Sequence, residues 1–180
     1  MFLGFSENFY HLYDNLLFEY SLNSISLVLG VSFIVTIIGV TTAWLVTFFN
    51  FSGKKVFQWA LILPLAVPPY LLAYVFTEFF DYSGTANNFM RGLLSSESDI
   101  VFFPNIRTIY GAIAVFSFTL YPYVYMVARV AFMNISPSLI EASKLLGRNS
   151  LSTFFNLLIP LIRPAIIAGI ALVAMETLSD

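Results

Sequence analysis

The chain has 180 residues, 59% of them hydrophobic and 10% charged, with a formal net charge of −2 and no cysteine. Soluble domains carry about 25% charged residues, so water is not the main solvent of this chain. The charge pattern lacks the clustered Lys and Arg that a phosphate backbone requires, which excludes a nucleic-acid partner, and the missing thiols exclude a disulfide framework, a thiolate metal site and a cysteine nucleophile.

Residues 1–20 are aromatic and acidic (Phe2, Phe5, Glu7, Tyr10, Asp14, Glu19), with neither Lys nor Arg. No cleavable signal peptide is visible there, and His11 stands alone without a second metal ligand nearby. No charge then occurs from Tyr20 to Gly53, from Val56 to Thr77, or from Thr108 to Ala128. A helix of about 20 apolar residues, rising ~1.5 Å per residue, crosses the ~30 Å hydrocarbon core. These stretches predict membrane spans over about 21–49, 56–79 and 108–133. A fourth apolar run, Pro164 to Met175, is too short alone and reads as an incomplete span at about 161–180. The expected fold is an all-α polytopic transmembrane helical bundle, with 1–20 outside it and 21–180 forming one domain.

Orientation follows from Lys and Arg, which short loops retain on the cytoplasmic side. Lys54 and Lys55 place the first connection inside. The mixed segment from Asp81 to Arg107 falls outside, and its Ser83-Gly84, Asn87-Asn88, Ser95-Ser96 and Pro104-Asn105 pairs read as turns. The segment 134–160, flanked by Arg129 and Arg163 with Lys144 and Arg148 between, falls inside. Both flanking arginines are expected to reach headgroups. An extracytoplasmic start without a signal suggests a preceding span.

Inside the second and third spans stand Pro64, Pro68, Pro69 and Pro122. Each removes a backbone donor, so these helices are expected to kink or break, serving either as pathway lining or as packing kinks. Tyr70, Tyr74, Tyr121, Tyr123 and Tyr125 can line a polar path or form interfacial belts.

The segment 134–160 carries the most local information. Ser136 or Ser138 can cap a helix, Pro137 suits its first turn, Ser138 with Glu141 matches a capping box, and Gly147 is a left-handed C-cap. Leu139, Ala142, Leu145 and Leu146 form a stripe at helical spacing, making the helix amphipathic and too short to span. A second short helix, from Asn149 or Ser150 to Ile159, is expected to stop at Pro160 and Pro164. The segment is either a solvated loop helix beneath the bundle or a docking element.

Glu176 lies about 22 Å along the last span at ~1.5 Å per residue from Leu161, still within the hydrocarbon. A carboxylate there faces a bundle interior or an aqueous cavity. Asp180, four residues on, shares its helix face. The pair suits a cation in transit or a proton-sensitive gate; the alternative is a carboxylate bonded to a neighbouring helix.

Glu141-Ala142-Ser143, then Gly147, then Leu157-x-Ile159-Pro160 resembles the EAA loop of binding-protein-dependent ABC importer permeases (type I), whose consensus is Glu-Ala-Ala, Gly and Ile-x-Leu-Pro at this spacing. Ser143, Leu157 and Ile159 depart from it by small changes. Ser21-Leu22-Asn23-Ser24, Pro64-Leu65-Ala66-Val67-Pro68-Pro69-Tyr70, Tyr121-Pro122-Tyr123-Val124-Tyr125, and Arg163-Pro164-Ala165 leading to Met175-Glu176-Thr177-Leu178-Ser179-Asp180 resemble its ferric-iron branch. The resemblance implies a permease in the bacterial inner membrane, moving ferric iron from an extracytoplasmic substrate-binding protein. It also implies a second permease half, as the same or a fused chain, and a cytoplasmic ATP-binding subunit that pushes a coupling helix at Glu141–Gly147. Chain beyond both ends is implied too, since the family has six spans per unit. No Walker loop, G-x-S-x-G or H-E-x-x-H occurs, so the chain reads as a non-enzyme without cofactor. The rival readings are a secondary transporter or channel, and a non-functional permease fragment.

Overall fold

The computed structural model describes residues 17–94 and 106–179. Every regular element among them is helical. Helix α1 (Leu17–Phe48) opens a turn earlier than the sequence predicts. Its threonine hydroxyls are satisfied within the helix: Thr36 donates to the Ser32 carbonyl at 2.7 Å, Thr42 to Ile38 at 2.6 Å and Thr47 to Ala43 at 2.7 Å. Such back-bonding is how a hydroxyl sits in hydrocarbon without a second helix. The buried residues Val31, Val35, Gly39, Ala43 and Val46 recur every three or four positions and form one stripe.

Gly53, at φ 88°, turns the chain into α2 (Lys54–Ala60). A 3₁₀ turn (Leu63–Ala66), an extended Val67 (φ −116°, ψ 126°) and then α3 (Pro69–Phe80) follow. The expected second span is therefore broken: Lys54–Ala66 and Pro69–Leu93 are bent by 93°. The cause is local, because Pro68 and Pro69 supply no N–H to the preceding turn and Val67, before a proline, is pushed to extended geometry.

Between Asp81 and Arg107, where turns are expected at Asn87-Asn88, the chain forms α4 (Thr85–Leu94) instead. Asn87 is fully buried and donates its amide to the carbonyls of Asp81 at 2.9 Å and Phe80 at 3.2 Å, which fastens α4 under α3. An ion pair of 3.3 Å between Arg107 and Asp81 holds the ends of the segment together. The pairs Ser95-Ser96 and Pro104-Asn105 lie outside the described residues.

Helix α5 (Ile109–Met133) is the centre of the bundle, capped where the Thr108 hydroxyl accepts from the Gly111 N–H, and it continues through Pro122. It is gripped by glycines from two sides. A Cβ on Gly39 of α1 would stand 2.8 Å from Val124 Cβ and 2.9 Å from the Tyr125 nitrogen, and a Cβ on Gly169 would stand 3.1 Å from Val124 Cα. Small residues at such crossings let backbones approach, and close packing is what associates helices where lipid removes the hydrophobic drive.

Helix α6 (Pro137–Leu145), α7 (Ser150–Thr153), a π-turn (Phe154–Leu158) and α8 (Ile159–Ser179) complete the chain. The expected stop at Pro160 and Pro164 does not occur: Ser150–Ser179 is one helix of 30 residues. The π-turn explains this, since a local change of hydrogen-bond register just ahead of Pro160 absorbs its missing donor. Three helices, Leu17–Phe48, Ile109–Met133 and Ser150–Ser179, are long and apolar enough to cross a membrane, with the bent pair a fourth crossing if counted as one span.

Candidate functional site

The residues singled out in the sequence fall into two places. The first is α6. Ser136 is its N-cap, but neither serine caps the helix with its side chain; the Ser136 and Ser138 hydroxyls bond each other at 2.6 Å. The capping box with Glu141 is thus not formed, and Glu141 is exposed, with no hydrogen bond or ion pair to the described residues. The C-terminus is built firmly. Gly147 takes φ 74°, its N–H donates to the Lys144 carbonyl at 2.9 Å, and the Arg148 N–H donates to the Ser143 carbonyl at 3.2 Å. These two bonds are the Schellman arrangement, which closes a helix only when a residue can adopt the left-handed conformation.

One side of α6 is tied to the bundle. Ser143 is 5% exposed and its hydroxyl bonds that of Thr153, equally buried, at 2.7 Å. The Asn149 side chain then accepts from the Ser152 N–H at 2.7 Å and starts α7. The other side is bare: Leu145 is 89% and Leu146 79% exposed, and Glu141 and Ala142 are exposed beside them. The apolar stripe therefore faces away from the bundle, whereas Ser143 and Ile140 face it. Beneath α6 a cavity of about 460 Å³ carries Lys144, Arg148 and Trp44 on its walls. Leu157 and Ile159 are half-buried and Pro160 is exposed; Ile159 packs against the core.

The second place is a cavity of about 270 Å³ between the break after α2 and the middle of α5, where Val67, Pro68 and Pro69 meet Thr119, Tyr123 and Glu176. Glu176 and Tyr123 are thus brought together. Tyr121 is not among the lining residues: it is 8% exposed in the hydrophobic core. Asp180 lies outside the described residues. Glu176 makes no side-chain hydrogen bond or ion pair to the described residues. Thr119, 1% exposed, was not singled out in the sequence, where a hydroxyl in an apolar run gives no sign of depth.

Arg129 has a partner within the bundle. Its guanidinium donates to the Gln58 side-chain carbonyl at 2.7 Å, and the Tyr125 hydroxyl donates to the Gln58 backbone carbonyl at 3.2 Å, pinning α2 to α5. Gln58, an amide within the charge-free run from Val56 to Thr77, was the available signal for this clamp.

Residues 18–180 match the family described as binding-protein-dependent transport system inner membrane component. The chain is 27% identical over 174 residues to the spermidine/putrescine transport system permease protein PotB of Escherichia coli strain K12, covering 96% of this chain and 62% of that protein. It is 28% identical over 157 residues to a probable sulfate transport system permease protein cysT of Helicosporidium sp. subsp. Simulium jonesii, covering 87% of this chain and 55% of the relative. A third relative, the sulfate transport system permease protein CysT of Salmonella typhimurium strain LT2, is 26% identical over 147 residues, covering 80% and 49% respectively. The chain thus spans about half to three-fifths of the length of these curated relatives.

Proposed function

Because this chain belongs to the family of inner membrane components of binding-protein-dependent transport systems, we propose that it is the membrane-spanning permease subunit of an ATP-driven importer, with α6 as the part that docks into a cytoplasmic ATP-binding subunit. The observation that carries the docking role is the outward apolar face of α6, with Leu145 89% and Leu146 79% exposed on a helix whose other face is fastened through Ser143. An apolar stripe on a short, capped helix between two spanning helices is exposed at a cost unless a partner groove covers it. In this reading Glu141 is a contact to that partner and Gly147 closes the docked helix.

The cycle needs three further parts: an extracytoplasmic binding protein that delivers cargo, a second permease half, and closure of the ATPase pair, which would push α6 and change the access of the cavity between α5, α8 and the broken span. Multi-pass placement in the inner membrane follows from the family and from the three long apolar helices. Ferric iron, the cargo implied by short sequence stretches, gains no support from relatives named for spermidine/putrescine and sulfate. No group of three or more His, Cys, Asp or Glu able to hold a metal occurs among the described residues.

The test is co-purification of the full-length protein with its ATP-binding subunit. Glu141→Lys, Leu145→Asp and Leu146→Asp should each abolish association while the permease still inserts into the membrane. Wild-type association in all three would refute the docking role, as would labelling that places 136–160 on the outer face.

A further inference from the structure

We propose that the cavity between Glu176 and the break at Val67-Pro68-Pro69 is a mid-membrane binding site for an organic ammonium ion, so that the cargo is a protonated amine rather than an anion or a bare metal ion. The inference rests on the permease reading and gives it a cargo class.

The carboxylate is the first observation. Glu176 sits in an apolar 30-residue helix and its carboxylate makes neither a hydrogen bond nor an ion pair to the described residues, although an ionised carboxylate in such a helix is costly without a partner. Its depth follows from packing. Gly169 abuts Val124, so Glu176, two turns further along the antiparallel helix, comes level with Thr119 and Leu120. Those residues stand near the middle of the 25-residue α5, not at its end.

The opposite wall supplies the second. The carbonyl of Leu65 would receive an α-helical bond from residue 69 or a 3₁₀ bond from residue 68, and both are prolines without N–H. Leu65 and Val67 both line the cavity, and the extended Val67 ends the helix there. Unwound backbone at membrane depth is tolerated where it lines a cavity, and its carbonyls present partial negative charge. Thr119 uses its proton on the Val115 carbonyl at 2.9 Å, leaving its oxygen to accept. Tyr123 adds an aromatic ring, whose face attracts ammonium groups.

Among the described residues, the polar groups on the cavity walls are therefore a carboxylate, carbonyls and hydroxyls, with no Lys, Arg or His lining it. Such walls reject sulfate. A lone carboxylate is also a poor set for a trivalent metal, which takes several charged oxygen ligands. Leu65, Val67, Pro69 and Leu120 line the remainder of the roughly 270 Å³, which suits the methylenes of an alkylamine.

The chain has no cysteine, so Ala66→Cys, at an exposed position on the cavity wall, is its single thiol reporter, read in the complete transporter after any cysteines outside these 180 residues are replaced by serine. Relative to their rates with a small thiol in solution, thiosulfonate reagents bearing a quaternary ammonium should label it about tenfold faster than sulfonate-bearing ones, and adding Glu176→Gln should bring that normalised ratio toward unity. Glu176→Asp should retain it. Spermidine or putrescine should slow labelling of Ala66→Cys but not of the Glu176→Gln double variant. An unchanged ratio in Glu176→Gln, a ratio lost in Glu176→Asp, or protection by sulfate or ferric ion would each overturn the proposal. ATPase co-purification, run on the same samples, reports separately on α6: its loss there would count against the docking role, not against the cavity.

Discussion

Gly147 offers a clean perturbation because its two possible costs separate. A Cβ built there meets nothing within 4 Å, so steric crowding contributes nothing, while φ 74° makes any ordinary L-residue strained. Holding alanine in the left-handed region costs about 1–2 kcal/mol. If Gly147→Ala relaxes by opening the C-cap instead, it loses the two bonds to the Lys144 and Ser143 carbonyls. Because the exposed C-cap is free to open in this way, docking must then restore the geometry. The affinity of the detergent-solubilised full-length protein for its ATP-binding subunit should then fall about five- to thirtyfold, the factor that 1–2 kcal/mol represents. Asparagine tolerates the left-handed region, so Gly147→Asn should stay within about twofold of wild type. Affinity measured by titration of the ATPase subunit decides this. A Gly147→Asn protein as weak as Gly147→Ala would show that backbone conformation is not the cause, and wild-type affinity in Gly147→Ala would show that the C-cap has no part in docking.

Removing one hydroxyl of the buried Ser143–Thr153 pair, as in Ser143→Ala, leaves the other without its partner and should cost about 1–3 kcal/mol of thermal stability, whereas Ser143→Ala combined with Thr153→Val should recover most of it. Fluorescence-detected unfolding in detergent reads the difference. Gly39→Ala drives a Cβ to 2.9 Å from the Tyr125 nitrogen, a backbone atom without freedom to yield, and should destabilise the α1–α5 crossing by about 1–3 kcal/mol in the same assay. Gln58→Ala and Arg129→Ala should be non-additive, with a coupling of about 1–2 kcal/mol in a double-mutant cycle on thermal stability; additivity would mean that the 2.7 Å bond does not fasten α2.

The long apolar runs made the helical class and the spanning elements readable, because a charge-free stretch of that length has one comfortable solvent. The break at Val67-Pro68-Pro69 was equally readable: a proline pair removes two donors whatever surrounds it. Less was visible where a side chain had two partners to choose from. Ser136, Ser138 and Glu141 are spaced for a capping box, yet the two serines bond each other and Glu141 is left facing out. Pro160 carries a strong stop signal that a single π-turn overrides, no local preference announces such a turn, and Pro164 is carried inside α8. Asn87 belongs to a turn-forming pair, but burial of its amide against two carbonyls recruits it into α4. Tyr121 and Tyr123 are indistinguishable in sequence, and only their different placement around α5 sends one into the core and the other to the cavity.

Continuity of the last helix through the π-turn bears on how motion can travel. One continuous helix joins Thr153, which holds α6 by its hydroxyl, to Glu176. The intervening shaft measures about 35 Å at ~1.5 Å per residue. Pivoting it near Thr153 by about 10° sweeps Glu176 sideways by about 6 Å at that radius. The same pivot would carry Gly169, about 24 Å along the shaft, past Val124 by about 4 Å, so the close glycine contact there limits how far the helix can swing as one rigid piece.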